Sequence, residues 1–305
     1  MALQRVLESI DLLDGWTDGE TVATALRARG LEVVATEVDD ATTFLRVAIP
    51  GFDGQTVGGT APTTGIVGRL GGVGARPDIV GMVSDADGAV AAVATAMELA
   101  VMAGRGDQLP GDVLVTTHIC PDAPTQPHRP VPFMGTPVPM ATMNDYEVDP
   151  AMQAVLSVDA TKGNRVFNRR GFAFTPTVKE GFILPVAPGL IDLYEWVTGR
   201  RAAVLPLSTY DITPYGNGLY HLNSILQPAV STSAPVVGVA LTAETAVPGT
   251  STGANHPNDL GEAVRFCIEA AKAFGAGTIE FYDAAEFERA VSLYGSMTRL
   301  QGGGS

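Results

Sequence analysis

Cysteine is scarce in this chain and lysine nearly as scarce. Two cysteines, Cys120 and Cys267, among 305 residues cannot hold a disulfide framework, and a reducing cytoplasm is the expected setting. The three lysines are Lys162, Lys179 and Lys272. Lysine and arginine together number 19 against 33 acids, a net charge of −14. No basic stripe exists to neutralise phosphates, so nucleic acid is excluded as an expected partner. An anionic membrane surface is disfavoured for the same reason. No run of ~18 apolar residues occurs, so no membrane span is expected. The opening MALQRVLESIDLLDGW carries acids and no small-residue cleavage site, unlike a signal peptide. Charged residues make up only 17% against 46% hydrophobic, which excludes disorder as the main state.

What is present is glycine (35) and proline (21), the signature of tight turns and long shaped loops. Apolar residues at helical spacing predict a first helix through Leu13. Thr17 and Glu20 form a capping-box pattern for a second helix that Gly30 stops. LEVVATEV and TTFLRVAI read as strands joined at Asp39-Asp40. TTGIVG reads as a strand entering the glycine-rich turn GRLGGVGARP, with a further short run at 79–83. That turn lacks both nucleotide-binding glycine signatures. Residues 87–104 form the clearest helix, apolar all round. DVLVTTHI, AVLSVDAT, GFAFTPTV and APVVGVALTA read as strands. Helices are expected near 189–198, over 258–274 and over 284–296, with a short strand at TIEFY. Residues 119–150 hold seven prolines before Pro150, so no regular element is expected there. Residues 210–233 are a second irregular segment. The alternation predicts one α/β domain over 1–300, a three-layer α/β/α sandwich with a mostly parallel central sheet. Residues 301–305 read as a flexible tail. The long irregular segments and the apolar fraction suggest a homo-oligomer.

The groups able to do chemistry gather at strand ends. Asp85 and Asp87 precede the apolar helix, where acids either complement the helix dipole or hold a divalent cation. Asp159 ends an apolar strand, a costly place unless it is paired, hydrogen-bonded or metal-bound, or serves as a turn cap. His118 and Cys120 stand two apart and could act as base and nucleophile, with Asp122 beside them. His128 lies in the proline-rich segment, His221 follows TPYGNGLY, and His256 sits in TGANHPNDL. The run from Lys162 to Arg170, which includes Arg165, is the one dense basic patch, fit for a carboxylate or a solvated turn.

IVGRLGGVGARPDIVGMVSDADGA, GDVLVTTHICPDAPTQPH, VDATKGNR, DITPYGNGLYH and SILQPAVSTSAPVVGVALTAE resemble a bacterial and archaeal family of unknown function, over nearly the whole chain. More distantly, the order of elements is similar to the zinc-dependent exopeptidases, the aminopeptidase and deacylase clan. Asp85-Ala-Asp-Gly88 resembles their bridging-carboxylate segment, Val158-Asp159 their carboxylate-ligand strand, and His256-Pro-Asn-Asp259 their late histidine motif. Arg69-Leu70-Gly71 stands where that clan has His-x-Asp, and the His118–Asp122 stretch stands where it has Glu-Glu. The resemblance implies a hydrolase of a small amide, peptide or amino-acid derivative using Zn or Mn. Asp85, Asp87, Asp159 and His256 would hold the metal, and His118 would be ligand or base. Arg69, Arg165, His128 and His221 would meet the small-molecule substrate. Two alternatives are a metal-free racemase, isomerase or lyase using Cys120 and His118, and a degenerate exopeptidase fold kept for binding.

Overall fold

A computed structural model describes residues 2–75, 81–127, 129, 132–213, 224–247 and 253–301. In chain order the elements are helix α1 (Ala2–Leu13), α2 (Gly19–Arg27), strands β1 (Glu32–Glu37), β2 (Thr43–Ile49) and β3 (Thr64–Gly68), α3 (Asp87–Ala103) and β4 (Val113–Ile119). Then come β5 (Thr125–Gln126), β6 (Phe133–Met134), α4 (Met140–Glu147), β7 (Ala154–Ala160), β8 (Gly171–Phe174), β9 (Thr177–Lys179) and β10 (Phe182–Leu184). The chain closes with α5 (Pro188–Thr198), β11 (Val236–Thr242), α6 (Pro257–Gly275) and α7 (Ala284–Tyr294). The main sheet runs β1-β2-β4-β3-β7-β11-β9-β10, with β8 also on β11. Its centre, β4-β3-β7-β11, is parallel, and both margins are antiparallel.

Strand alternation sorts the helices into two layers. Leu45, Val47, Val115 and Thr117 face α2 and α3. Phe44 and Arg46, one residue out of phase, face the opposite side, where Phe44 stacks on Tyr146 of α4 at 4.8 Å. Helices α1 and α6 pack on α3 and on each other, in the first layer. The second layer is α4 with irregular chain, including a 3₁₀ turn at Gln227–Val230. Residues 84–103 are long and apolar enough to cross a membrane, yet 72% of that window is buried in the fold, as in a core helix.

Several expectations need correction. The second helix is capped by Asp18, whose carboxylate accepts from the Thr21 amide, rather than by Thr17. The proline-rich segment does hold regular structure. It forms the β5–β6 pair and α4, because residues 140–149 are free of proline and Pro139 sits at the N-cap, where a missing N–H costs nothing. The run TIEFY is not a strand. Phe281 is buried in the core there, and its carbonyl accepts from the Thr177 hydroxyl. Of the short run at 79–83, residues 81–83 are not a strand, and 79 and 80 lie outside the described residues.

One close approach fixes the site's frame. A Cβ on Gly88, in the first turn of α3, would lie 1.9 Å from the Arg69 carbonyl oxygen, and one on Gly68 would lie 2.4 Å from the Gly88 carbonyl oxygen. Alanine normally favours a helix over glycine by about 0.5–1 kcal/mol. Here Gly88→Ala is expected to destabilise by about 1–3 kcal/mol, because backbone must move. Urea unfolding of the variant measures this. A midpoint at or above that of the parent would contradict the packing.

Candidate functional site

Arg69, Asp85, Asp87, Asp159 and His256 lie at the carboxyl ends of the central parallel strands, where open α/β sheets place their ligands. Arg69 follows β3, Asp159 is the last residue but one of β7, Asp85 lies in a 3₁₀ turn just before α3, and Asp87 opens α3. Asn255 and His256 immediately precede α6. All three aspartates are buried, Asp85 at 4% exposure, Asp87 at 0% and Asp159 at 2%.

Each carboxylate has a different surrounding. Asp87 accepts from the Lys162 ammonium on Oδ2 and from Asn255 Nδ2 on Oδ1, the latter at 2.7 Å. Burial raises its pKa, while Lys162, Asn255 and the charge of His256 oppose the rise. Asp159 accepts from the Ser224 hydroxyl at 2.5 Å. Burial pushes Asp159 up to about 7, with Ser224 and the Arg69 charge pulling down and Asp87 pushing up. Asp85 makes no hydrogen bond among the described residues. Burial, then the charges of Asp159 and Asp87, hold it well above the ordinary carboxylate range. So burial and its neighbours' charges favour the protonated form of Asp85, while Asp159 titrates near neutrality.

This has a consequence for stability. Asp159 takes up a proton on folding at any pH between its unfolded and folded values. The stability linked to that proton is fully present below about pH 4 and is lost as pH rises through about 7. The melting temperature is therefore expected to fall from pH 5 to pH 8, and Asp159→Asn is expected to flatten the slope. An Asp159→Asn slope equal to that of the parent would show that the carboxyl does not titrate there.

A second buried network stands beside the first. The Arg69 guanidinium, 0% exposed, meets Glu147 at 2.7 Å, donates to Asn144 and lies 2.7 Å from the Met140 sulfur. The other Glu147 oxygen is 2.6 Å from His118 Nδ1. The Gly71 amide donates to His118 Nε2 at 3.0 Å. An acceptor at Nε2 requires the hydrogen to sit on Nδ1, so His118 is neutral and donates to Glu147. With both nitrogens occupied, it braces the turn after β3 and points no lone pair at the aspartates. Cys120 is buried with Ala75, Val83 and Met134, and burial pushes its thiol up, away from the thiolate. Asp122 is exposed, and Arg165 is exposed on the turn after β7. His128 and His221 lie outside the described residues.

The structure thus brings Asp85, Asp87, Asp159 and His256 to one region, with Arg69 behind Asp159. It does not bring Cys120, Asp122 or Arg165 into contact with them. Sequence reasoning missed Glu147, Asn144 and Ser224, noted Asn255 only as a polar neighbour of His256, and left Lys162 in a basic run fit for a carboxylate or a solvated turn. A proline-free stretch inside a proline-rich segment was the available signal for Glu147. The donor set does not reproduce a two-zinc centre. Among the described residues, no three His, Cys, Asp or Glu side chains are grouped to hold a metal, and both oxygens of Asp87 are already bonded. A cavity of about 500 Å³ lies at the opposite ends of β7 and β11, lined by Met152, Gln153, Pro235 and Tyr282.

Comparison with solved structures gives the fold. A TET aminopeptidase from a marine-sediment Thaumarchaeota archaeon superposes with a TM-score of 0.50 at 10% identity, over 90% of this chain and 99% of that one. A leucyl aminopeptidase from Trypanosoma brucei gives 0.48 at 10% identity, over 86% of this chain and 60% of that one. A glutaminyl cyclase from an Acidobacteriales bacterium gives 0.46 at 12%, over 90% and 94%. The fold is that of the aminopeptidases. No curated protein sequence matches. A family model described as "Protein of unknown function (DUF1177)" matches residues 34–304.

Proposed function

This chain belongs to the DUF1177 family, and from its own geometry we propose that it is a hydrolase of a small amide, peptide or amino-acid derivative, working through Asp85 and Asp159. One observation carries the reading. Two neighbouring carboxyls, buried at the carboxyl ends of parallel strands, are left over once Lys162 has paired with Asp87 and Arg69 with Glu147. Their surroundings separate their proton affinities, which gives an acid and a base side by side.

Amide hydrolysis needs both. The Asp159 carboxylate takes a proton from water as the water oxygen bonds to the carbonyl carbon and the C=O pair moves onto oxygen. Protonated Asp85 then gives its proton to the departing nitrogen as the C–N bond breaks. The proton gained by Asp159 restores Asp85 before the next turnover. Both groups are only a few per cent exposed. Substrate therefore reaches them only when the covering chain parts, which also keeps bulk water from the reacting groups.

The test is a panel of N-acyl amino acids, dipeptides and amino-acid amides, followed by a pH–rate profile. Turnover is expected to rise with an apparent pKa near that of Asp159 and to survive chelation. Loss of activity on chelation, restored by Zn²⁺ or Mn²⁺, would replace this acid–base account with the metal-dependent one that the exopeptidase resemblance implies. A homo-oligomer is part of the proposal, and light scattering of the purified protein checks it.

A further inference from the structure

We propose that the Lys162 ammonium is the resident cation of this acid cluster and stands where the exopeptidase fold would otherwise hold a metal ion.

The placement of Lys162 is unusual for a residue in a basic turn. Its side chain is 4% exposed, and that of Asp87 is 1%. Its Nζ donates to Asp87 Oδ2 and to the Ala254 carbonyl oxygen. One side chain thus joins three separate segments: the end of β7, the start of α3 and the chain leading into α6. The backbone is pinned as well, because Thr161 donates to Leu241 at 2.7 Å and the Lys162 carbonyl accepts from Val247 at 2.9 Å. Asn255 fixes the far side of Asp87 and also donates to the Val83 carbonyl at 3.1 Å.

Burying an ammonium is expensive, and an exposed pair would tie the same loops together at less cost. The charges nearby account for the expense. The Asp87 charge is felt at both Asp85 and Asp159, so it calls for a cation beside it, and Arg69 is committed to Glu147. Of the side chains, an ammonium comes closest to a metal ion. It is a compact point charge with several donors, whereas a guanidinium is broad and planar. Its three N–H groups exceed the two acceptors it meets among the described residues. The third can stabilise negative charge building on a carbonyl oxygen. That last consequence rests on the hydrolase reading, but the assignment of the cation does not.

The test reads metal binding rather than turnover. Wild-type protein, Lys162→Ala, Lys162→Arg and Lys162→Ala/Asp85→Asn are dialysed against chelator and titrated with MnCl₂ up to about 1 mM while melting temperature and bound metal are recorded. The wild type and Lys162→Arg are expected to carry no stoichiometric metal and to shift little. Lys162→Ala is expected to bind Mn²⁺ at least about tenfold more tightly than wild type and to gain several degrees. Adding Asp85→Asn is expected to abolish the gain, which loss of a merely structural Lys162–Asp87 pair would not predict. One equivalent of tightly bound metal in wild type overturns the proposal, as does Lys162→Ala with no gain. If Lys162→Ala does not accumulate, the metal content of wild type decides. A metal-free wild type supports the assignment, and one equivalent per chain overturns it. Absence of turnover on every substrate would count against the hydrolase and leave these readouts unchanged.

Discussion

Asp85→Asn is expected to lower turnover by about 10²–10⁴-fold while leaving the fold at least as stable as before. The two effects part because asparagine matches a protonated aspartate in shape and neutrality but cannot release a proton. Burial and two neighbouring carboxylates already push Asp85 towards its neutral form. The substitution therefore removes only the cost of holding a proton on the buried carboxyl, a cost that grows as pH rises above the carboxyl's unfolded value. Melting temperature is expected to exceed that of the parent by a margin that grows from pH 5 to pH 8. Asp159→Asn is expected to lose a similar share of the rate, because the base is gone. The measurement is kcat over pH 5–9 beside thermal melts of the same preparations. Turnover within tenfold of the parent in Asp85→Asn would remove the acid from the scheme.

Glu147→Ala is expected to be the most destabilising single change at the site, costing about 3–5 kcal/mol. Glu147 is fully buried and holds two partners at once, the Arg69 guanidinium as an ion pair and His118 Nδ1 as a hydrogen bond. Truncation leaves a buried guanidinium with no carboxylate and an imidazole N–H with no acceptor. Glu147→Gln keeps an oxygen for His118 but loses the charge facing Arg69, so an intermediate loss is expected. The double variant Arg69→Met/Glu147→Leu is expected to recover part of the stability, since it removes both charges together. Urea unfolding of the three variants orders them. A Glu147→Ala loss below about 1 kcal/mol would mean that the network does not hold α4 against the sheet.

The legible parts of the site are those with a local cause. Asp159 stands out because a carboxylate ending an apolar strand needs a reason to be there. Asp85 and Asp87 stand out because acids open a helix that is otherwise apolar. The roles of His118 and Cys120 were not legible. Spacing puts them two apart on one strand, but which atoms face each nitrogen or the thiol depends on Gly71, Glu147 and Met134, which come from other segments. Proline density misled at 119–150 because it was averaged over the segment. The proline-free stretch within it was long enough for two turns of helix.

Periodicity, glycine and proline placement and the lack of basic residues are properties of neighbours along the chain, and they settled the α/β class, the α3 core helix and the position of acids at strand ends. Charge partners are settled by distance in space. Lys162 and Asp87 are 75 residues apart, as are Arg69 and Asn144, and Glu147 is 29 from His118. Only the parallel stacking of β3, β7 and β11 brings these groups within reach. Only their burial raises the proton affinity of two aspartates, because a carboxylate loses the water that would keep it ionised.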